Sequence, residues 1–202
     1  ALDYYERSLK IAEELGDKSG IGSTLNSISN VYFNKGDYDT ALDYYERSLK
    51  IAEELGDKRG IGNYLNNIGV MYYNKGDLDK ALDSYKRSLA IAEEIGDKSG
   101  MGRSLGNIGN VYAVKGDYEK AENYLEKSLS TQKEIGLRTG DLIETTTCLY
   151  LTYKNLGKAY DVNEIHSLIK DAENIEFEVN LRLYELLEDT TYLEAAYNQV
   201  QE

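Results

Sequence analysis

The eighteen residues ALDYYERSLKIAEELGDK stand at 1–18 and again, unchanged, at 41–58. Compared as blocks of forty, 1–40 and 41–80 agree at 30 positions, and 81–120 keeps the same skeleton. Repetition at a fixed period of this size means that each block folds as one small unit. Its apolar face is too large for the unit to cover alone, so neighbouring copies must stack.

Each block reads as two helices. In the second block, Ile61, Leu65, Ile68 and Tyr72 fall on one face, which predicts a helix over 61–74. Lys75-Gly76-Asp77 ends it, with glycine for a left-handed turn and Asp77 to cap the next helix. A second helix over 78–95 puts Ala81, Tyr85, Leu89 and Ala92 on one stripe. Gly96-Asp97-Lys98-Ser99-Gly100 then separates the units.

The residues Leu65-x2-Ile68-Gly69-x2-Tyr72 followed by Ala81-x3-Tyr85 resemble the tetratricopeptide repeat. The preceding unit matches with Leu25, Ile28, Ser29, Tyr32, Ala41 and Tyr45, the following one with Leu105, Ile108, Gly109, Tyr112, Ala121 and Leu125. The period is 40 rather than 34 and the closing proline is missing, as in the subclass of bacterial signalling proteins and of polarity and motor adaptors. The resemblance implies an all-α, right-handed α-solenoid of stacked antiparallel hairpins, about 11 helices in all. In that family the first helices line the concave surface and the second helices face outward.

The expected organisation is one continuous solenoid. Residues 1–17 form the second helix of a truncated repeat, followed by repeats at 18–57, 58–97 and 98–137. A degenerate repeat at 138–175 and a short capping hairpin at 176–202 complete it. One inserted residue sets Tyr153 a distance of 41 from Tyr112. That register places Val162, His166 and Ile169 on the buried stripe of a helix over 159–174. The helix at the N-terminus lacks its own first helix, so an exposed apolar face is expected there, together with self-association or further repeats upstream. The missing initiating Met also points to a piece of a longer protein.

Composition narrows the function. The net charge of −13 repels phosphate backbones and anionic lipid, so neither nucleic acid nor membrane is an expected partner. No apolar run reaches the roughly 20 residues that cross a bilayer. The opening residues are no secretory signal, and the single Cys148 implies no disulfide and no oxidising compartment. Cytoplasmic localisation is therefore expected, with Cys148 as a small buried side chain. Gly20-Ile21-Gly22 and its copies imitate a phosphate loop, but no strand precedes them and the third glycine is missing. They read instead as turns between units. The residues suggest no metal, no cofactor and no catalytic constellation, so the chain is not expected to be an enzyme.

Charge and asparagine mark the candidate site. Residues 37–56 carry six acids and two bases, whereas 58–76 and 98–116 carry three bases each and no acid. Solubility accounts for acids on the second helices but not for their exclusion from the first. Asn26, Asn30, Asn34, Asn63, Asn66, Asn67, Asn74, Asn107 and Asn110 recur on the first helices, where asparagine is a mediocre helix former. An amide donates and accepts at once, which suits an extended peptide backbone. The alternative is bonding between stacked repeats. With Phe33, Tyr73 and Arg103, and a basic rim of Lys35, Lys75 and Lys115, the row predicts a peptide-binding groove. The expected partner is an extended, neutral to acidic polypeptide, bound by a scaffold or sensing part of a larger signalling protein. A segment regulating its own enzyme domain in cis, or a passive self-associating spacer, are the rival readings.

Overall fold

Aspartates set the helix starts. Asp17, Asp37, Asp57, Asp77 and Asp117 each accept a hydrogen bond from the backbone N–H three residues on, at 2.9–3.3 Å. Glycines spaced by twenty, from Gly16 to Gly136, supply the turns at φ from 66° to 78°. The structure, a computed structural model, describes residues 2–137, 142–171 and 175–201. These contain eleven α-helices and no strand: α1 Leu2–Leu15, α2 Lys18–Asn34, α3 Tyr38–Leu55, α4 Lys58–Asn74, α5 Leu78–Ile95, α6 Lys98–Val114, α7 Tyr118–Glu134, α8 Ile143–Leu156, α9 Val162–Asp171, α10 Phe177–Leu187 and α11 Thr190–Gln201.

First helices begin three residues earlier than the apolar period predicts. Lys58-Arg59-Gly60 is the first turn of α4, and Lys98-Ser99-Gly100 that of α6. The Gly-x-Gly pairs therefore belong to helices, not to turns. A Cβ on Gly60 would meet Asp57 Oδ2 at 2.3 Å, so the bare glycine leaves room for the cap.

The chain divides into two units, Ala1–Ser104 and Leu105–Glu202. In the first, α1 to α5 pack in sequence, each helix against the next. Ala41, Tyr45, Ile68 and Met71 form one buried cluster. Small residues let the helices approach: a Cβ on Gly69 would come within 2.5 Å of the Tyr85 ring. Ser48 and Ser88 donate to the carbonyls of Gly22 and Gly62 at 3.2 and 2.8 Å. Ion pairs repeat too: Lys18 with Glu54 at 2.7 Å and Lys58 with Glu94 at 2.5 Å.

In the second unit, α7 packs on α8, α8 on α9 and α10, and α10 on α11. Ala121, Leu125, Cys148, Leu149, Ile165, Leu168 and Leu183 share its core. The register of α8 follows the inserted residue, with Leu149 buried where Ile108 stood, 41 residues before. In α9 the insertion has been cancelled. Ile165 and Leu168 are buried a period of 40 after Leu125 and Ser128, while Val162 and His166 are exposed. His166 is therefore a surface residue, which corrects its expected packing role. The predicted ends of that helix at Asn174, of its repeat at 138 and of the chain at Glu202 lie outside the described residues, as does Ala1. Cys148 is buried as expected.

Candidate functional site

Within the first unit, α2, α4 and the start of α6 border a cleft of about 490 Å³ lined by Asn26, Asp57, Arg59, Gly60, Asn63, Tyr64, Asn67 and Arg103. Only first helices and the Asp57 cap contribute. The amides are linked across helices: Asn67 Nδ2 donates to Asn26 Oδ1 at 3.5 Å, and the Arg103 guanidinium donates to Asn63 Oδ1 at 3.3 Å. Bonding between repeats and a polar cleft thus coexist. Each linked amide keeps a further donor or acceptor position, so the wall of the cleft offers both. Burial and the nearby Asp57 carboxylate push the Tyr64 hydroxyl above the usual phenol range.

The other predicted residues divide by environment. Asn66 is buried, 4% exposed, and borders a water-sized void behind the cleft with Ser88 and Ile91. Asn30 accepts from the Tyr45 hydroxyl at 2.5 Å, and Asn74 donates to its own helix at Val70. Asn34 is exposed, and Tyr73 is half-buried. Phe33 packs against Tyr38, with ring centroids 5.9 Å apart. On the rim, Lys75 pairs with Asp39 and Lys35 lies over the Tyr32 ring at 5.5 Å, so their charge is partly balanced.

Asn107, Asn110 and Lys115 belong to the second unit, with Lys115 exposed and Asn107 half-buried. Asn110 borders a separate hollow of about 210 Å³ with Tyr118, Cys148, Thr152, Asn155, Arg182 and Glu185. Arg182 donates to Cys148 Sγ at 2.9 Å and faces Glu144 at 3.6 Å. Among the described residues the buried Oδ1 of Asn110 has no hydrogen-bond partner. No cluster of three or more His, Cys, Asp or Glu side chains suits a metal ion among the described residues, and none of their helices is long and apolar enough to cross a membrane.

Sequence reasoning did not place Arg59 or Tyr64 in the site. The signal was departure from the repeat. Position 59 reads serine, arginine, serine at 19, 59 and 99; position 63 reads serine, asparagine, arginine at 23, 63 and 103; position 64 reads threonine, tyrosine, serine at 24, 64 and 104. Three substitutions that break the pattern, Arg59, Tyr64 and Arg103, converge on one cleft.

A sequence profile of the tetratricopeptide repeat matches residues 1–54 and 60–134. No curated protein matches the sequence significantly. Among solved structures the chain is similar to BtubC (BKLC) from P. vanneervenii, at 21% identity and a TM-score of 0.70, covering 82% of this chain and 68% of that one. It is similar to a Rap protein complexed with competence and sporulation factor, at 20% identity and a TM-score of 0.75, covering 99% and 57%. A third is a signal transduction ATPase with numerous domains from Pyrococcus horikoshii that has a tetratricopeptide repeat sensor, at 19% identity and a TM-score of 0.68, covering 98% and 28%. The chain therefore spans little more than half of the Rap protein and a smaller part of the ATPase. At these identities the likeness is one of fold.

Proposed function

Since the chain belongs to the tetratricopeptide repeat family, we propose that it binds another polypeptide along its first helices and serves as the scaffold or sensing part of a larger cytoplasmic signalling protein. The observation that carries this reading is the meeting of Arg59, Tyr64 and Arg103 in a cleft already walled by Asn26, Asn63 and Asn67. Amides that donate and accept suit an extended backbone, which offers one donor and one acceptor per residue. Two guanidiniums beside one capping carboxylate favour a neutral to acidic segment over a basic one. The Rap relative is seen with a bound factor, in keeping with this use of the fold.

Regulation in cis is the second reading, favoured by the ATPase, whose repeat sensor shares one chain with its other domains. In that case the bound segment belongs to the same protein, and the cleft residues keep their roles. Nothing in either reading requires catalysis by this chain.

The test starts from peptides selected on the intact chain out of a displayed library. Arg59→Glu with Arg103→Glu is expected to weaken the selected peptide about tenfold or more, with the loss shrinking as salt rises. Asp43→Lys with Glu46→Lys, on the exposed face of α3, is expected to leave binding unchanged. The reverse pattern overturns the assignment of the cleft.

A further inference from the structure

The copies also disagree on the second helices. Tyrosine stands at 4, 44 and 124, but serine at 84. At 44 and 124 the ring packs on a tyrosine near the end of the preceding helix. Tyr44 stacks on Tyr32 with centroids 5.7 Å apart and planes within 9°, and Tyr124 stacks on Tyr112 at 5.6 Å and 17°. The Arg47 guanidinium also lies over the Tyr44 ring, 5.1 Å from its centroid. Between α4 and α5 the groups that would hold such a ring are kept, and the ring itself is replaced. Tyr72 has the register of Tyr32 and Tyr112, and Ser84 takes the stacking position. Arg87 pairs with Asp83 at 3.9 Å, just as Arg47 pairs with Asp43 at 3.9 Å, so the guanidinium is held in the same way. A hollow of about 520 Å³ opens there, bordered by Tyr72, Ser84 and Arg87, with Leu49 and Leu65 among its apolar walls.

We infer that this hollow is a docking slot for one aromatic side chain of a partner polypeptide, a tyrosine or phenylalanine flanked by basic residues. The ring would stack on Tyr72 and meet the Arg87 guanidinium, the two contacts that Tyr44 makes within the chain. Lys80 leaves room for it. That ammonium lies over the Tyr72 ring at 5.2 Å, and Lys120 lies over Tyr112 at 5.3 Å while Tyr124 stacks on the same ring. The rim calls for the basic flank. Glu46, Asp79 and Asp83 border the hollow with only Lys80 and Arg87, and Lys80 is already paired with Asp77 at 2.9 Å. A polypeptide brings positive charge beside its ring, which a bare aromatic molecule does not. The slot involves α3 and α5 and none of the residues of the first-helix cleft, so the inference stands independently of the binding reading.

The probe is the peptide acetyl-Arg-Tyr-Arg-amide, titrated into the full chain and followed by NMR. Its tyrosine ring protons are expected to shift upfield and saturate, as a ring stacked on Tyr72 requires. Ser84→Tyr restores the pattern of Tyr44 and should itself fill the slot, raising the urea midpoint and weakening the probe more than tenfold. Ser84→Ala should bind as the parent does, and the leucine analogue of the probe should bind at least fivefold more weakly. Arg59→Glu with Arg103→Glu is expected to leave the probe unaffected, which separates this site from the cleft. Equal binding by Ser84→Tyr and the parent overturns the inference, as does a lowered urea midpoint for Ser84→Tyr. If p-cresol binds as tightly as the peptide, the slot serves a free aromatic molecule and the assigned occupant is wrong. A parent chain that self-associates in light scattering, and stops doing so on Ser84→Tyr, also overturns it, because a second copy then supplies the ring.

Discussion

The same substitution, made at two positions eighty residues apart, should change stability in opposite directions. Asn30 Oδ1 accepts from the Tyr45 hydroxyl at 2.5 Å, and Tyr45 is too deeply buried for water to take over that bond. Asn30→Val strands the hydroxyl, which costs about 1–3 kcal/mol. The equivalent pair in the second unit is Asn110 and Leu125, and leucine has no hydroxyl to donate. Among the described residues Asn110 Oδ1 is accordingly buried without a hydrogen-bond partner, and carries a penalty of about 1–3 kcal/mol that its counterpart escapes. Asn110→Val, which copies Val70 at the same register, removes the stranded oxygen and should stabilise by about that amount. Helix propensity cancels, because valine and asparagine rank together. Hydrogen exchange on the full chain reads both effects locally: α3 should open at least fivefold more often in Asn30→Val, and α7 correspondingly less often in Asn110→Val. If Asn110→Val loosens α7 as much as Asn30→Val loosens α3, the register argument is wrong. A more stable Asn110→Val that has lost affinity for a selected peptide would show that the stranded amide is retained for binding.

Gly69→Ala should destabilise by about 1–3 kcal/mol in urea denaturation although alanine is the better helix former, because its Cβ would stand 2.5 Å from the Tyr85 ring. Gly76, which has open space around it but a φ of 78°, should lose stability on replacement by alanine through backbone strain instead. Burial pushes the Tyr45 hydroxyl up to about 12 from an ordinary 10, so the folded state holds that proton more firmly than the unfolded one. Its contribution, about 3 kcal/mol, is complete below pH 10 and is lost as pH rises toward 12. The stability difference between the parent chain and Tyr45→Phe should therefore narrow across that window, and a constant difference would refute it.

The fold was legible because duplication states the unit boundary outright, and the period of apolar residues within it places each helix. What failed was local. Gly60 and Gly62 look like turn residues, but Asp57 caps the helix ahead of them and Gly60 leaves room for that cap, which only the folded geometry reveals. In α9 the burial of Ile165 and Leu168 shows that a one-residue insertion can be undone within the next loop, so counting forward from Tyr153 misplaced the stripe. The asparagine row was legible as a pattern but not in its roles. Whether an amide is spent depends on the residue facing it from another helix: Tyr45 engages Asn30, while Leu125 leaves Asn110 stranded. Arg59 and Tyr64 could have been found by asking where the copies disagree rather than where they agree.

The turn glycines, set twenty residues apart, also bear on how such a chain changes length over generations. Ala41 and Ala81 are both fully buried, and each donates its N–H to the aspartate four residues before it, at 3.0 Å. Excision of 41–80 would join Thr40 to Ala81 and reproduce that same first turn, while duplication would insert another copy with equal ease. Gain or loss of a whole unit thus needs no compensating mutation, because every junction it makes already exists in the molecule. Unequal recombination between the near-identical stretches becomes a source of viable variants. Under the binding reading, the length of polypeptide such a protein engages is then inherited in discrete increments, one first helix at a time.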